Sequence, residues 1–86
     1  MSFKVYVEEI LQNEVSSVVR QQGYVLETEI CTMISEKYNL SLYIVRATLG
    51  RIYPEMSLLK RRMSNDLKRF YGLDVKGYPI AYFPNK

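Results

Sequence analysis

"EKYNLSLYIVRATL", Glu36 to Leu49, holds the turn on which the fold depends. A helix running into Tyr38 meets Asn39, which tolerates the left-handed conformation better than most residues and so ends the helix. Leu40 is then buried. Ser41 opens the next helix two residues later, its hydroxyl placed to accept from an orphan N–H of the first turn. Leu42, Val45, Leu49 and Ile52 follow at helical spacing and are expected to face inward. Tyr43, Arg46, Ala47, Gly50 and Arg51 are left on or near the outer face. Glycine costs about 1 kcal/mol inside a helix relative to alanine, so Gly50 points to a close approach by something.

Upstream, Val7, Ile10, Leu11, Val15, Val18 and Val19 keep the i, i+3, i+4, i+7 rhythm of a first helix, and Gly23 closes it. "YVLE" (24–27) is long enough only for a connecting strand. Thr28 is expected to cap a second helix over about 29–38, with Ile30, Met33, Ile34 and Tyr38 inward.

Downstream, Pro54 can occupy a first helical turn. Met56, Leu59, Met63, Leu67 and Phe70 then step by three or four, which predicts a fourth helix over 55–71 closed by Gly72. The competing arrangement is a hairpin, with strands at 58–63 and 67–71 joined by Ser64-Asn65-Asp66. The tail "VKGYPIAYF" (75–83) reads as a strand or short hairpin that turns at Lys76-Gly77 and pairs with residues 24–26. Pro79 would restrict that strand to a sheet edge. The expected fold is mainly α with a small β element, a single domain over 1–86.

Composition narrows the functions. The 86 residues include no histidine and no tryptophan, and one cysteine, Cys31. Nucleophile–histidine catalysis is excluded, and a zinc site would need an all-carboxylate set. The chain is therefore expected to be no enzyme and to need no cofactor. Cys31 reads as a small core filler, and a lone thiol fits a reducing cytoplasm. The start "MSFKVYVEEILQ" puts acids where a signal peptide needs cations, so export is not expected. No apolar run is long enough to cross a membrane.

Charge is uneven. Residues 1–43 set Lys4, Arg20 and Lys37 against six glutamates, a net of −3, whereas residues 44–86 set nine cations against Glu55, Asp66 and Asp74, a net of +6. Five of those cations, Lys60, Arg61, Arg62, Lys68 and Arg69, fall within "LLKRRMSNDLKRFYGL" (58–73). On a helix the first three would span about 200° of the circumference. On a hairpin they would flank a polar tip. Either way several remain free to reach phosphates. Eight tyrosines are many for this length, and Tyr43, Tyr71, Tyr78 and Tyr82 near cations could stack on exposed bases.

The Thr28–Tyr53 segment resembles the helix-turn-helix, in which a short left-handed turn crosses two helices steeply and leaves the second free to enter a major groove. The trailing β segment makes the winged-helix subclass the best match. "RIYPEM" (51–56) followed by "GYPIAYF" (77–83) is similar to the C-terminal winged-helix domain of the nucleoid-associated Rok repressors. Residues 57–76 depart from that family, being much longer than its connection. The resemblance implies a DNA-binding protein, a transcriptional regulator or architectural factor, and the small size, basicity and bare single domain would suit a phage or plasmid gene. Tyr43, Arg46 and Arg51 would contact the groove, and Lys60, Arg61, Arg62, Lys68 and Arg69 the phosphates. Double-stranded DNA is the expected partner, and a homodimer the expected state. The alternative is an accessory subunit of a replication or transcription complex that binds protein or single-stranded DNA.

Overall fold

The computed structural model describes residues 2–85. Three helices, α1 (Phe3–Gln22), α2 (Glu27–Tyr38) and α3 (Leu42–Ile52), pack around one apolar cluster. A two-residue strand, β1 (Val25–Leu26), separates α1 from α2. After α3 come a 3₁₀ turn (Tyr53–Met56), strand β2 (Leu58–Arg62), a short helix α4 (Asn65–Tyr71) and strand β3 (Ile80–Pro84). The three strands form an antiparallel sheet in the order β1-β3-β2.

The helix ends follow the chemistry of their residues. Gly23 closes α1 at φ 86° and Asn39 closes α2 at φ 54°. Beyond Asn39, the Leu40 N–H reaches back to the Ser35 carbonyl and the Ser35 hydroxyl donates to the Leu40 carbonyl at 2.6 Å, which fixes the turn. The Ser41 hydroxyl accepts from the Ile44 N–H and caps α3. The second helix starts earlier than expected. Leu26 precedes its first turn with no side-chain cap, Thr28 is exposed, and Glu27 and Glu29 complement the helix dipole in its place. Leu42, expected inward, is exposed, because Val45, Thr48, Leu49 and Ile52 already fill the buried stripe.

The expected fourth helix over 55–71 is a strand followed by a helix. Ser57 takes φ 58° and ends the 3₁₀ turn, so the chain leaves it extended. Leu58 and Met63 are both buried, on opposite faces of the sheet. The hairpin alternative had the first strand, but its second, 67–71, is helical: Ser64 caps α4 through the Leu67 N–H, and Gly72 closes it at φ 68°. Leu59 and Phe70, expected inward, are exposed.

The tail does pair with residues 25–26, but β3 is the central strand of the sheet and not an edge. Pro79 lies one residue outside it and contributes only its carbonyl, which accepts from the Met63 N–H at 2.8 Å. The sheet is covered on both faces. Val25, Leu58 and Tyr82 join the three-helix core, with the Tyr82 hydroxyl donating to Glu27 at 2.6 Å. Leu26, Met63, Ala81 and Phe83 form a second cluster with Tyr24, against which Leu67, Tyr71 and Leu73 pack.

Candidate functional site

The buried stripe of α3 sets the rotation of the helix, and Tyr43, Arg46, Ala47, Gly50 and Arg51 are all exposed as a result. At about 100° per residue, Tyr43, Ala47 and Gly50 form the crest and the two arginines lie on opposite flanks. Tyr43 is 80% exposed. A methyl group at Gly50 would meet nothing within 4 Å, so its smallness serves no packing inside the chain. The helix contains no acid.

The arginines differ. Arg51 Nη1 lies 2.8 Å from Glu8 Oε2 on α1, and its charge is largely answered there. Arg46 has no ion-pair partner among the described residues.

Strand alternation divides the cations of β2. Lys60 and Arg62 share a face with Leu58, toward the three-helix core, and Arg61 shares the α4 side with Leu59. The Lys60 ammonium sits 5.9 Å from the centre of the Tyr53 ring, just past the end of α3. Arg62 Nη1 donates to the Tyr78 carbonyl at 3.0 Å. Lys68 Nζ donates to the Val75 carbonyl at 3.1 Å and lies 4.8 Å from the Tyr78 ring centre. These two cations clip the loop that leads into β3 and keep their charge, because a carbonyl does not neutralise it. Arg69 pairs with Asp66 at 2.8 Å on a fully solvated surface, an interaction worth well under about 1 kcal/mol.

Of the eight residues singled out in the sequence, Tyr43, Arg46, Lys60 and Arg61 are thus exposed with no ion pair among the described residues, Arg62 and Lys68 hold a loop, and Arg51 and Arg69 are charge-paired. Lys76 was missed. It is exposed on the clipped loop beside Gly77, which turns at φ 72°. In the sequence Lys76-Gly77 signals only a turn, and the charge beside it carried no separate cue.

An open groove of about 750 Å³ on α2 reaches Pro79 and has Glu29, Glu36 and Lys37 among its lining residues, a net negative lining. Its sign is wrong for a polyanion. On α1, Glu14 accepts from Lys37 at 2.9 Å and from the Tyr38 hydroxyl, and these bonds hold its carboxyl below the ordinary range. Burial and the nearby Glu27 push the Cys31 thiol up to about 11, against a smaller opposing effect of Arg46, so Cys31 behaves as core. Among the described residues no cluster of acids and cysteine is set to hold a metal, and no helix is long and apolar enough to cross a membrane.

Comparison of the chain with protein-family models, curated proteins and solved structures gives no match.

Proposed function

We propose that this chain is a winged-helix DNA-binding protein that seats α3 in the major groove of duplex DNA. The observation that carries the proposal is the outer face of α3. It is exposed, free of acids, bears Arg46 and Tyr43, and is low at Ala47 and Gly50 where a groove wall would approach. The order of elements, α1-β1-α2-α3-β2-β3 with the sheet arranged β1-β3-β2, supports a winged helix. In that arrangement α4 is an insertion between the two wing strands, and it accounts for the length of residues 57–76. Lys60, Arg62, Lys68 and Lys76 would lie along phosphates, while Arg46 and Tyr43 would meet base edges. Arg51, already held by Glu8, would contribute less than Arg46.

The test is fluorescence anisotropy with a labelled duplex and its single strand at 50 and 200 mM salt. If about four phosphates are neutralised, the fourfold rise in salt weakens duplex binding on the order of a hundredfold. Arg46→Ala is expected to cost about tenfold or more, and Arg51→Ala only a few-fold. Preference for the single strand would favour the accessory-subunit alternative. Absence of binding to either at 50 mM salt would refute a nucleic-acid function for α3.

A further inference from the structure

We infer that the free edge of β2 is a docking site for an extended, acidic peptide segment of a partner protein. The inference does not use α3, but it gives to a peptide the Lys60 and Arg62 that the DNA reading lays along phosphates, so the two partners would compete for those cations. Because β3 is central, β2 has one paired edge and one open edge. The register identifies which backbone groups are open. Met63 N–H bonds to the Pro79 carbonyl and Asn85 N–H to the Ser57 carbonyl, so the odd-numbered residues 57 to 63 turn their backbone groups toward β3. Leu58, Lys60 and Arg62 therefore direct N–H and C=O outward. Such a row is a template for one more strand.

The side chains say which strand fits. Lys60 and Arg62 project on the core side of the edge. On the other side a cleft of about 170 Å³ is lined by Leu59, Leu67 and Phe83 together with Arg61. Leu59 is 39% exposed there. An added antiparallel strand places alternate residues on alternate faces. Acids at one parity would sit opposite Lys60 and Arg62, and aliphatics at the other would cover the cleft. A second copy of this chain is disfavoured as the occupant. Antiparallel pairing of β2 with its own copy about residue 61 would set Arg61 against Arg61 and Lys60 against Arg62, and pairing about residue 60 would set Lys60 against Lys60; like charges across a strand pair are destabilising. The same cations that deter self-association select an acidic strand.

The probe is a fluorescein-labelled peptide alternating Asp or Glu with Val or Leu over nine positions, beside a peptide of the same composition with acids and aliphatics in separate blocks. Saturable binding is expected for the alternating peptide, about tenfold tighter than for the block peptide. Lys60→Pro removes one outward donor, which an edge strand tolerates, and Lys60→Gln removes only the charge. Lys60→Pro is expected to lose about tenfold beyond the loss in Lys60→Gln. The peptide supplies a readout that does not depend on folding of that variant: N-methylation at its acidic positions abolishes binding, and N-methylation at its aliphatic positions does not. Arg46→Ala leaves peptide binding unchanged, so loss of the DNA proposal would not take this one with it. Equal binding of block and alternating peptides, indifference to the site of N-methylation, or no binding at millimolar peptide overturns the inference. So does dimerisation of the chain through β2, which would make a second copy the occupant.

Discussion

Glu14 is the residue whose chemistry the fold changes in a way that pH can read. In the unfolded chain its carboxyl titrates near the ordinary value of 4.5, whereas in the fold Lys37 and then Tyr38 hold it lower. A depressed carboxyl stabilises the folded state fully above the unfolded pKa, and that contribution is lost as pH falls through the folded value. Glu14→Gln removes the charge while keeping an acceptor for Tyr38. The wild type is therefore expected to exceed Glu14→Gln in urea midpoint at pH 6, with the gap closing as pH falls from above the ordinary carboxyl value of 4.5 to below it. Urea titrations of both proteins across that range check it. A gap independent of pH would mean that Lys37 and Tyr38 hold the side chain without favouring its charge. No pattern in the sequence pairs Glu14 with residues 23 and 24 positions away, since the contact exists only once α1 and α2 cross.

Among the elements, α3 and its preceding turn were legible because their determinants are local. Asn39 takes the left-handed turn, Ser41 caps, and Val45, Leu49 and Ile52 are buried. Residues 57–71 were not, for a physical reason. The sheet is covered on both sides, so Leu58 and Met63 are buried on opposite faces while Leu59 and Lys60 between them are exposed, and neither a period of two nor one of 3.6 survives intact. The apparent helical stripe from Met56 to Phe70 mixes buried Met63 with exposed Leu59 and Phe70. The break that decides the matter is one serine, Ser57, at φ 58°, a conformation serine rarely takes. The α3 element yields a prediction of its own. With open space around a Gly50 methyl, Gly50→Ala is expected to raise stability by about 1 kcal/mol. If a groove wall approaches that crest, Gly50→Leu would weaken duplex binding while leaving the thermal midpoint at or above wild type. Calorimetry and anisotropy on the same two variants separate the effects. Unchanged DNA affinity in Gly50→Leu would remove the glycine from the proposed contact.

At the scale of the whole molecule, the sheet separates two apolar clusters of unequal size. The larger lies among α1, α2 and α3; against the smaller pack Leu67, Tyr71 and Leu73 on and after α4. Tyr71 stands 4.5 Å from Tyr24 and 6.1 Å from Phe83 between ring centres. A seven-residue helix is too short to hold itself in water, so α4 depends on those contacts and on the loop clipped by Arg62 and Lys68. Unfolding is then expected to proceed in two steps of different cost, with α4 and the 72–79 loop opening before the three-helix core. Truncating a large, partly buried side chain at this seam should cost about 2–3 kcal/mol locally. Tyr71→Ala is accordingly expected to bring the amides of 65–71 to near-unprotected exchange while those in the middle of α1 and α3 remain slow, as hydrogen-exchange NMR would show. If α1 and α3 lost protection in equal measure, the two clusters would be one cooperative unit. In the first case α4 can move while α3 stays in place, and on the proposed DNA-binding reading the cations it carries would be adjustable in position against α3.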